Sequence, residues 1–472
     1  MILTSLLFTT ITALWWALVW FVLPLDLRHL SIPALVSLHV LVPVGLMAFI
    51  SFFRRWRARV AQARALAVQA QEAQAQQQRI DAAREAHAAQ LAERRVAMQC
   101  RGAWVSALTQ ADPAVELEPA TLLAVADRPR GGWADTLSPQ LADVFSRALT
   151  QLPAAAWLPI YVFPNAQRDG LDQLDLVRKT WLAAAQSLPE GSAPAQADCK
   201  FLPGSTALVD RVLAVLANDP GLPGCLVLGF DALTEVLDQA DELGDLPDEA
   251  VQKQWAWQGQ PGGAAALLLF TRAGLRASDA PVEAGASADV YTPYWEQNRG
   301  TEAGQLSWGR VPPHLQRAVI DARPLALLAA GGNVINPQPK GNALTRQVQG
   351  AFEAALINAG LRDQPFDSGS AEPAPVAAGW LVHNSGNVSV AGARLSGLSL
   401  ALNYFGCELN VVDEADNLVI TFGDMGAARE PLGLAVAALR VAQTKAPVVV
   451  AQFDGTVAFS INVLTPASEE TV

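Results

Sequence analysis

Cysteine and histidine are scarce in this chain: four of the first and five of the second in 472 residues. Cys100, Cys199, Cys225 and Cys407 stand far apart with no CxxC pair, which excludes a disulfide framework and a zinc-ribbon type of site. No HExxH pair occurs, so a metalloprotease centre is excluded, and no metal or other cofactor is implied. A GxSxG elbow is also missing, and "AAGGNVINPQPKGN" (329–342), although rich in Gly and Asn, lacks the GxxxxGK[ST] spacing of a phosphate cradle and reads as a loop. Basic residues are outnumbered, 33 against 45, for a net charge of −12. Nucleic-acid binding needs a concentrated basic face, so a nucleic-acid partner is not expected.

Charge is absent from one place in particular. Residues 2–24, "ILTSLLFTTITALWWALVWFVLP", carry none, and a second uncharged run, Ser31–Phe53, holds only His39 and two prolines as interruptions. A span of the hydrocarbon core takes about 20 apolar residues, so the pattern predicts two transmembrane helices and a lipid-bilayer partner. A cleavable signal peptide fits poorly, because no basic segment precedes the first run. Arg54, Arg55, Arg57 and Arg59 follow the second run directly, whereas the intervening loop has Arg28 alone. The positive-inside rule then places both termini and everything after residue 56 in the cytoplasm.

Residues 57–99 are rich in Ala, Gln, Arg and Glu, with no Pro or Gly. They read as a solvated helical stalk about 60 Å long. Large apolar residues at heptad spacing are missing, which argues against a strong coiled coil.

Beyond the stalk, strand-like apolar runs alternate with amphipathic helical patterns. "WLPIYVFP" (157–164), "GCLVLGFDAL" (224–233), "PGGAAALLLFTR", "LALLAAGG" and "AAGWLVHNSG" read as strands. "LDQLDLVRKTWLAAAQSL", "STALVDRVLAVLA", "ALTRQVQGAFEAALINAG" and "LSGLSLALNYFG" read as helices, and "APVVVAQFDGTVAFSINVL" as a terminal hairpin. Two comparable blocks of this alternation imply an α/β fold with helices covering central sheets. The polar, Gly-rich stretch 276–310 is expected to link them, and the acidic run at 238–249 to be a solvated loop. The expected organisation is an anchor over 1–56, a stalk over 57–99, and two halves over 100–285 and 286–472.

Four motifs in this order carry a family resemblance. They are "GCLVLGFDAL" (224–233), "GQPGGAAALLLF" (259–270), "HNSGN" (383–387) and "FGDMGAAREPLGLAVAALRVAQTKAPVVVAQFDG" (422–455). Together they resemble the thiolase and β-ketoacyl synthase superfamily over residues 100–468. The resemblance implies duplicated α-β-α-β-α halves, a homodimer, and an acyl-thioester site with a thiolate at a helix N-terminus and two histidines. At the head of the corresponding helix stand Gly204, Ser205 and Thr206, without cysteine. Cys199 lies upstream in what reads as a polar loop, and Cys225 leads a buried strand. His383 keeps the place of the family's first histidine, but Asp424 takes that of the second, where a carboxylate would repel a developing oxyanion. Of the family's closing Gly-Phe-Gly-Gly only Gly455 remains. The implied protein is a catalytically impaired member.

Two readings of these residues stay open. If the site is active, Ser205 is the nucleophile, His383 the base and Asp424 or Asp454 the orienting group. Otherwise Ser205 and Thr206 cap a helix, His383 bonds to backbone, and Asp424 is a carboxylate at a helix start. Trp255 and Trp257 form either an exposed binding patch or a cover over the sheet. The plan of anchor, Ala/Gln-rich helix and degenerate halves is similar to adaptor proteins that load lipase effectors onto type VI secretion spikes. It implies an adaptor or scaffold at the bacterial inner membrane with an effector or secretion component as protein partner. The alternatives are a membrane-anchored acyltransferase acting on acyl thioesters, and a structural component that oligomerises through the stalk.

Overall fold

The computed structural model describes residues 2–22, 31–110, 121–124, 127–129, 131–189, 192–233, 249–275, 308–337, 340–366, 375–455 and 458–467. They fall into two units, Met1–Ala88 and Ala89–Val472. The expected link at 276–310 lies outside the described residues up to 307, and so does the acidic run from 238 to 248.

In the first unit, helix α1 spans Ile2–Phe21, and α2 runs over Ile32–Arg94 with Pro43 inside it. Proline has no N–H to donate to the carbonyl four residues back, here that of His39. The Trp16 indole N–H donates to that carbonyl at 3.3 Å, and the Trp15 indole to Leu38 O at 2.9 Å. Trp16 thus makes good the bond that Pro43 removes. By length and composition α2 holds a segment apolar enough to cross a membrane, while the apolar helix Ser5–Phe21 is shorter. The lengths therefore supply one spanning helix where the uncharged runs predict two. The predicted stalk is not a separate element either: it continues α2, which ends at Arg94, and the next strand starts at Ala97, ahead of residue 100.

The second unit opens on β1 (Ala97–Ala107), α3 (Trp133–Gln151), β2 (Ile160–Val162), α4 (Gly170–Ala185), β3 (Cys199–Phe201) and α5 (Leu208–Asn218). Then come β4 (Gly224–Ala232), α6 (Glu249–Gln258), β5 (Gly263–Arg272), α7 (Pro313–Asp321), β6 (Ala326–Ala329), β7 (Gly332–Ile335) and α8 (Gly341–Asn358). Last are β8 (Trp380–His383), α9 (Gly392–Tyr404), β9 (Ala415–Asn417), α10 (Leu418–Thr421), α11 (Arg429–Thr444), β10 (Val448–Asp454) and β11 (Ala458–Thr465). Strand β7 corrects the reading of 329–342 as a loop. Its alternation is too short to register as a strand, and it forms by pairing Gly332–Ile335 with Ala458–Ile461 of β11.

The strands form one sheet in the order β3-β2-β4-β5-β1-β6-β11-β10-β8-β9, with β7 also on β11. The two halves repeat one pattern. In the first, β1 and β5 are antiparallel, as are β5 and β4, while β4, β2 and β3 are parallel. In the second, β6 and β7 are antiparallel to β11, and β11 to β10, while β10, β8 and β9 are parallel. This is a mixed α/β fold.

Three buried clusters define the layers. Helices α3 and α4 cover one face of β4 and β5, α8 and α9 cover β10 and β11, and α5 with α11 fills the middle. Helix α11 is buried almost continuously from Pro431 to Val441, the mark of a helix enclosed in the core. Strands β4 and β5 are likewise apolar runs without alternation, as strands covered on both faces must be.

Buried arginines close the ends of helices. The ladder shifts between Cys100 and Gly102, and Arg101 turns inward. Its Nη1 donates to Val319 O, Ile320 O and Ala322 O at 2.9, 2.6 and 2.5 Å, the free carbonyls at the end of α7. Arg272 does the same beyond α5, donating to Leu216 O, Asp219 O and Leu222 O. A cation at a helix C-terminus satisfies both the orphan carbonyls and the dipole.

Candidate functional site

The N-termini of α5 and α11 meet beside β10 and the loop before α11. The backbone N–H groups at the head of α5 would be free to bind a reacting oxygen only if nothing in the chain used them. Glu430, in the first turn of α11, uses the first of them: Leu208 N–H donates to its Oε1 at 2.6 Å. Burial pushes the Glu430 carboxyl up to about 7, against the lowering pull of that N–H and of Arg211. Gln452 on β10 holds the Glu430 carbonyl through Nε2 at 3.0 Å. Asp210, also in the first turn of α5, accepts from Gly331 N at 3.2 Å and from Asn333 Nδ2 at 2.5 Å.

Ser205 and Thr206 do not cap α5. The N-cap position is Ala207, which offers no side-chain acceptor, and both hydroxyl residues are exposed in the turn before it. A carboxylate from a helix 222 positions away takes the role predicted for them.

His383 ends β8 and is 1% exposed. Its Nε2 lies 3.3 Å from Val411 O, while its Nδ1 accepts Ser385 N–H at 3.4 Å and lies 2.9 Å from Ser385 Oγ. These partners fit a neutral ring with its proton on Nε2. Burial lowers its pKa to about 4, despite the opposing influence of the Val411 carbonyl and of Asp416. The imidazole is turned into the protein and both nitrogens are engaged.

The rest of "HNSGN" is committed in the same way. Asn384 Nδ2 donates to Phe453 O at 3.0 Å, and its Oδ1 accepts Phe453 N–H at 2.7 Å. Gly386 has φ +108 and faces Trp257, where a side chain would meet the indole. Asn387 N–H donates to Ala256 O of α6 at 2.7 Å. Arg394, in the first turn of α9, ties these pieces together. Its guanidinium lies 4.8 Å from the ring centres of both Trp257 and Phe453 and donates to Ser385 O and Gly455 O. Trp257 therefore braces this loop cluster, rather than forming an open patch or lying over the sheet.

Asp424 sits where backbone meets backbone. Its N–H donates to Gln260 O at 2.7 Å and its carbonyl accepts Gly262 N–H at 2.9 Å. A Cβ on Gly259, Gly262 or Gly423 would strike the opposite chain, so the three glycines permit this approach. The Asp424 carboxylate accepts from Arg429 Nη2 at 2.6 Å and from Gly426 N–H at 3.1 Å. The carboxylate at a helix start is neutralised by its own helix. Replacing Asp424 with Asn is expected to cost about 1–2 kcal/mol, the value of a half-buried ion pair, because Asn keeps an acceptor for Gly426. Chemical denaturation of the full-length protein in detergent measures it.

No hydrogen bond joins Ser205, His383, Asp424 or Asp454 to one another, and Asp454 is exposed at the end of β10. The cysteines offer no substitute. Cys199 opens β3 and is buried, which corrects its placement in a polar loop. Desolvation pushes the thiols of Cys100, Cys199 and Cys225 up to about 12, far from a thiolate at neutral pH. The sequence reading missed Glu430, Asn384, Arg394 and Asp231. The last is 2% exposed and accepts from the Trp133 indole at 2.9 Å and from Ala427 N–H at 3.0 Å. An acid at the end of the all-apolar run "CLVLGF" was the available signal for it.

No protein-family model matches this chain, and no curated protein does. Solved structures similar to it include OleA of Xanthomonas campestris with bound acetamide. That match is 12% identical, covers 78% of this chain and 98% of that one, and has a TM-score of 0.40. A cerulenin-bound form of the same OleA, from co-crystals, is 13% identical over 78% and 96% of the two chains, again with a TM-score of 0.40.

Proposed function

We propose that this chain is a membrane-anchored, cytoplasmic thiolase-fold pseudoenzyme that acts as an adaptor or scaffold. The observation that carries the reading is the Leu208 N–H bonded to Glu430, which occupies the first N–H at the head of α5 with the protein's own side chain. With His383 neutral and engaged, and the thiols of Cys100, Cys199 and Cys225 pushed to about 12, the body has the frame of a condensing enzyme without a poised nucleophile. What remains useful is a large rigid body on a helical anchor. In this reading both α1 and α2 enter the bacterial inner membrane, joined as a hairpin by the Trp15 and Trp16 bonds. The body pairs with a second copy, and it presents a secretion effector of the lipase class to a type VI spike.

Two measurements on the full-length protein test this. Cross-linking in cells followed by mass spectrometry is expected to enrich a toxin, lipase or spike component. Incubation with a long-chain acyl thioester is expected to leave the intact mass unchanged. Stable acylation at Ser205 or Cys199, lost in Ser205→Ala or Cys199→Ala, would overturn the pseudoenzyme reading and restore the acyltransferase.

A further inference from the structure

The arginines expected to orient the anchor also form a ring on α2. Arg54, Arg55, Arg57, Arg59 and Arg64 are all exposed, and no Asp or Glu occurs from Ile32 to Gln71. None of the five has a carboxylate partner among the described residues; Arg57 instead lies over the Phe53 ring at 5.8 Å. Immediately before and among them stand Phe49, Phe52, Phe53 and Trp56, exposed by 66%, 68%, 43% and 51%. Phe49 stacks on Phe53 at 6.3 Å between ring centres, and Phe53 meets Trp56 at a tilt at 5.5 Å.

Helix geometry decides what such a set can meet. At about 100° per residue, the five arginines project at about 0°, 100°, 300°, 140° and 280° around the axis, over a rise of about 15 Å. A protein groove or a nucleic-acid strand meets one side of a helix. Charge on opposite sides of one helix, directly past an apolar segment, suits a partner that surrounds it. A leaflet's headgroup layer has that shape, and aromatic rings favour its inner edge.

We infer that Arg54, Arg55, Arg57, Arg59 and Arg64 form a binding collar for the phosphates of anionic phospholipid headgroups. The guanidinium fork takes two phosphate oxygens at once, and attraction between clustered cations and an acidic leaflet adds over the set. The inference rests on α2 entering a membrane, as proposed above, and adds to it a choice among lipids.

The test uses full-length protein reconstituted in phosphatidylcholine vesicles carrying a trace of spin-labelled phosphatidylglycerol or spin-labelled phosphatidylcholine. The motionally restricted fraction is expected to favour phosphatidylglycerol on the order of 5-fold, weakening in 0.5 M salt as screening shortens the field. The quintuple variant R54Q/R55Q/R57Q/R59Q/R64Q should bring the preference to about one, while the matching Arg→Lys variant keeps most of it, because charge more than the fork drives collar binding. Glutamine is a good helix former, so α2 persists in either variant. An equal preference in parent and Gln variant would overturn the collar while leaving the anchor intact. Loss of the preference on adding inorganic phosphate alone would overturn lipid as the source. Protein that fails to enter either vesicle and washes off in alkaline carbonate would sink the membrane reading, and the collar with it.

Discussion

Replacing Asn384 with alanine is expected to destabilise the body by about 3 kcal/mol, the cost of stranding a buried N–H and a buried C=O together. The side chain sits one residue beyond β8, is 4% exposed, and bonds both backbone groups of Phe453. It behaves as an extra rung of the β8–β10 ladder, placed where the two strands begin to diverge. Asn384→Asp keeps the acceptor but removes the donor and buries a charge, so it should be at least as harmful. Two readings check the size of the effect. The denaturation midpoint should fall with an unchanged slope, and exchange of the Phe453 amide should speed up on the order of 100-fold. A loss below about 0.5 kcal/mol, within the range of ordinary surface substitutions, would free the motif for contact with a ligand and weaken the pseudoenzyme reading.

The same residue shows what could be read from the sequence and what could not. The apolar runs of β4, β5 and β10 are plain in the sequence, because a strand covered on both faces reads as a continuous apolar stretch. The order of elements followed from them. Strand β7 was hidden because four residues carry no period and its existence depends on β11, over 120 positions later. Cys199 looked like a loop residue for a similar reason: β3 is three residues long and exists by pairing with β2.

The candidate site was legible by place and misread by partner. "HNSGN" packs on α6 and the end of β10, and "FGDMG" packs on the segment 260–262 that follows α6. Their roles were set by contacts at long separation: Asn384 with Phe453, Asp424 with Gln260 and Gly262, Glu430 with Leu208. A hydrogen bond between positions 69 or 222 apart leaves no trace in local pattern. Glycine was the one usable sign. Three glycines in "GQPGG" and "FGDMG" stand where backbone presses on backbone, and close approach is a use of glycine that a sequence does advertise.

Glu430 and His383 are expected to tilt the pH dependence of stability in opposite directions, so that each variant exposes the other. Burial lowers His383 from 6.5 to about 4, so between those values the unfolded chain binds the extra proton. Its contribution is complete above pH 6.5 and is lost as the pH falls toward 4. Glu430 is raised from 4.5 to about 7, so there the folded chain binds the extra proton. Its contribution is complete below pH 4.5 and is lost as the pH rises through 7. Each shift corresponds to about 3 kcal/mol, and over pH 4.5–6.5 the two slopes largely cancel. Relative to the parent, Glu430→Gln should become more stable as the pH rises across this window, since Gln still offers Leu208 N–H an acceptor and no longer needs its proton. His383→Asn should do the reverse, gaining on the parent toward acid. Urea denaturation of both variants at half-unit steps from pH 4.5 to 7.5 reads the difference directly. Parallel curves for Glu430→Gln and the parent would mean that the carboxylate at the head of α5 is solvated, and that Leu208 N–H is open to something other than the protein's own side chain.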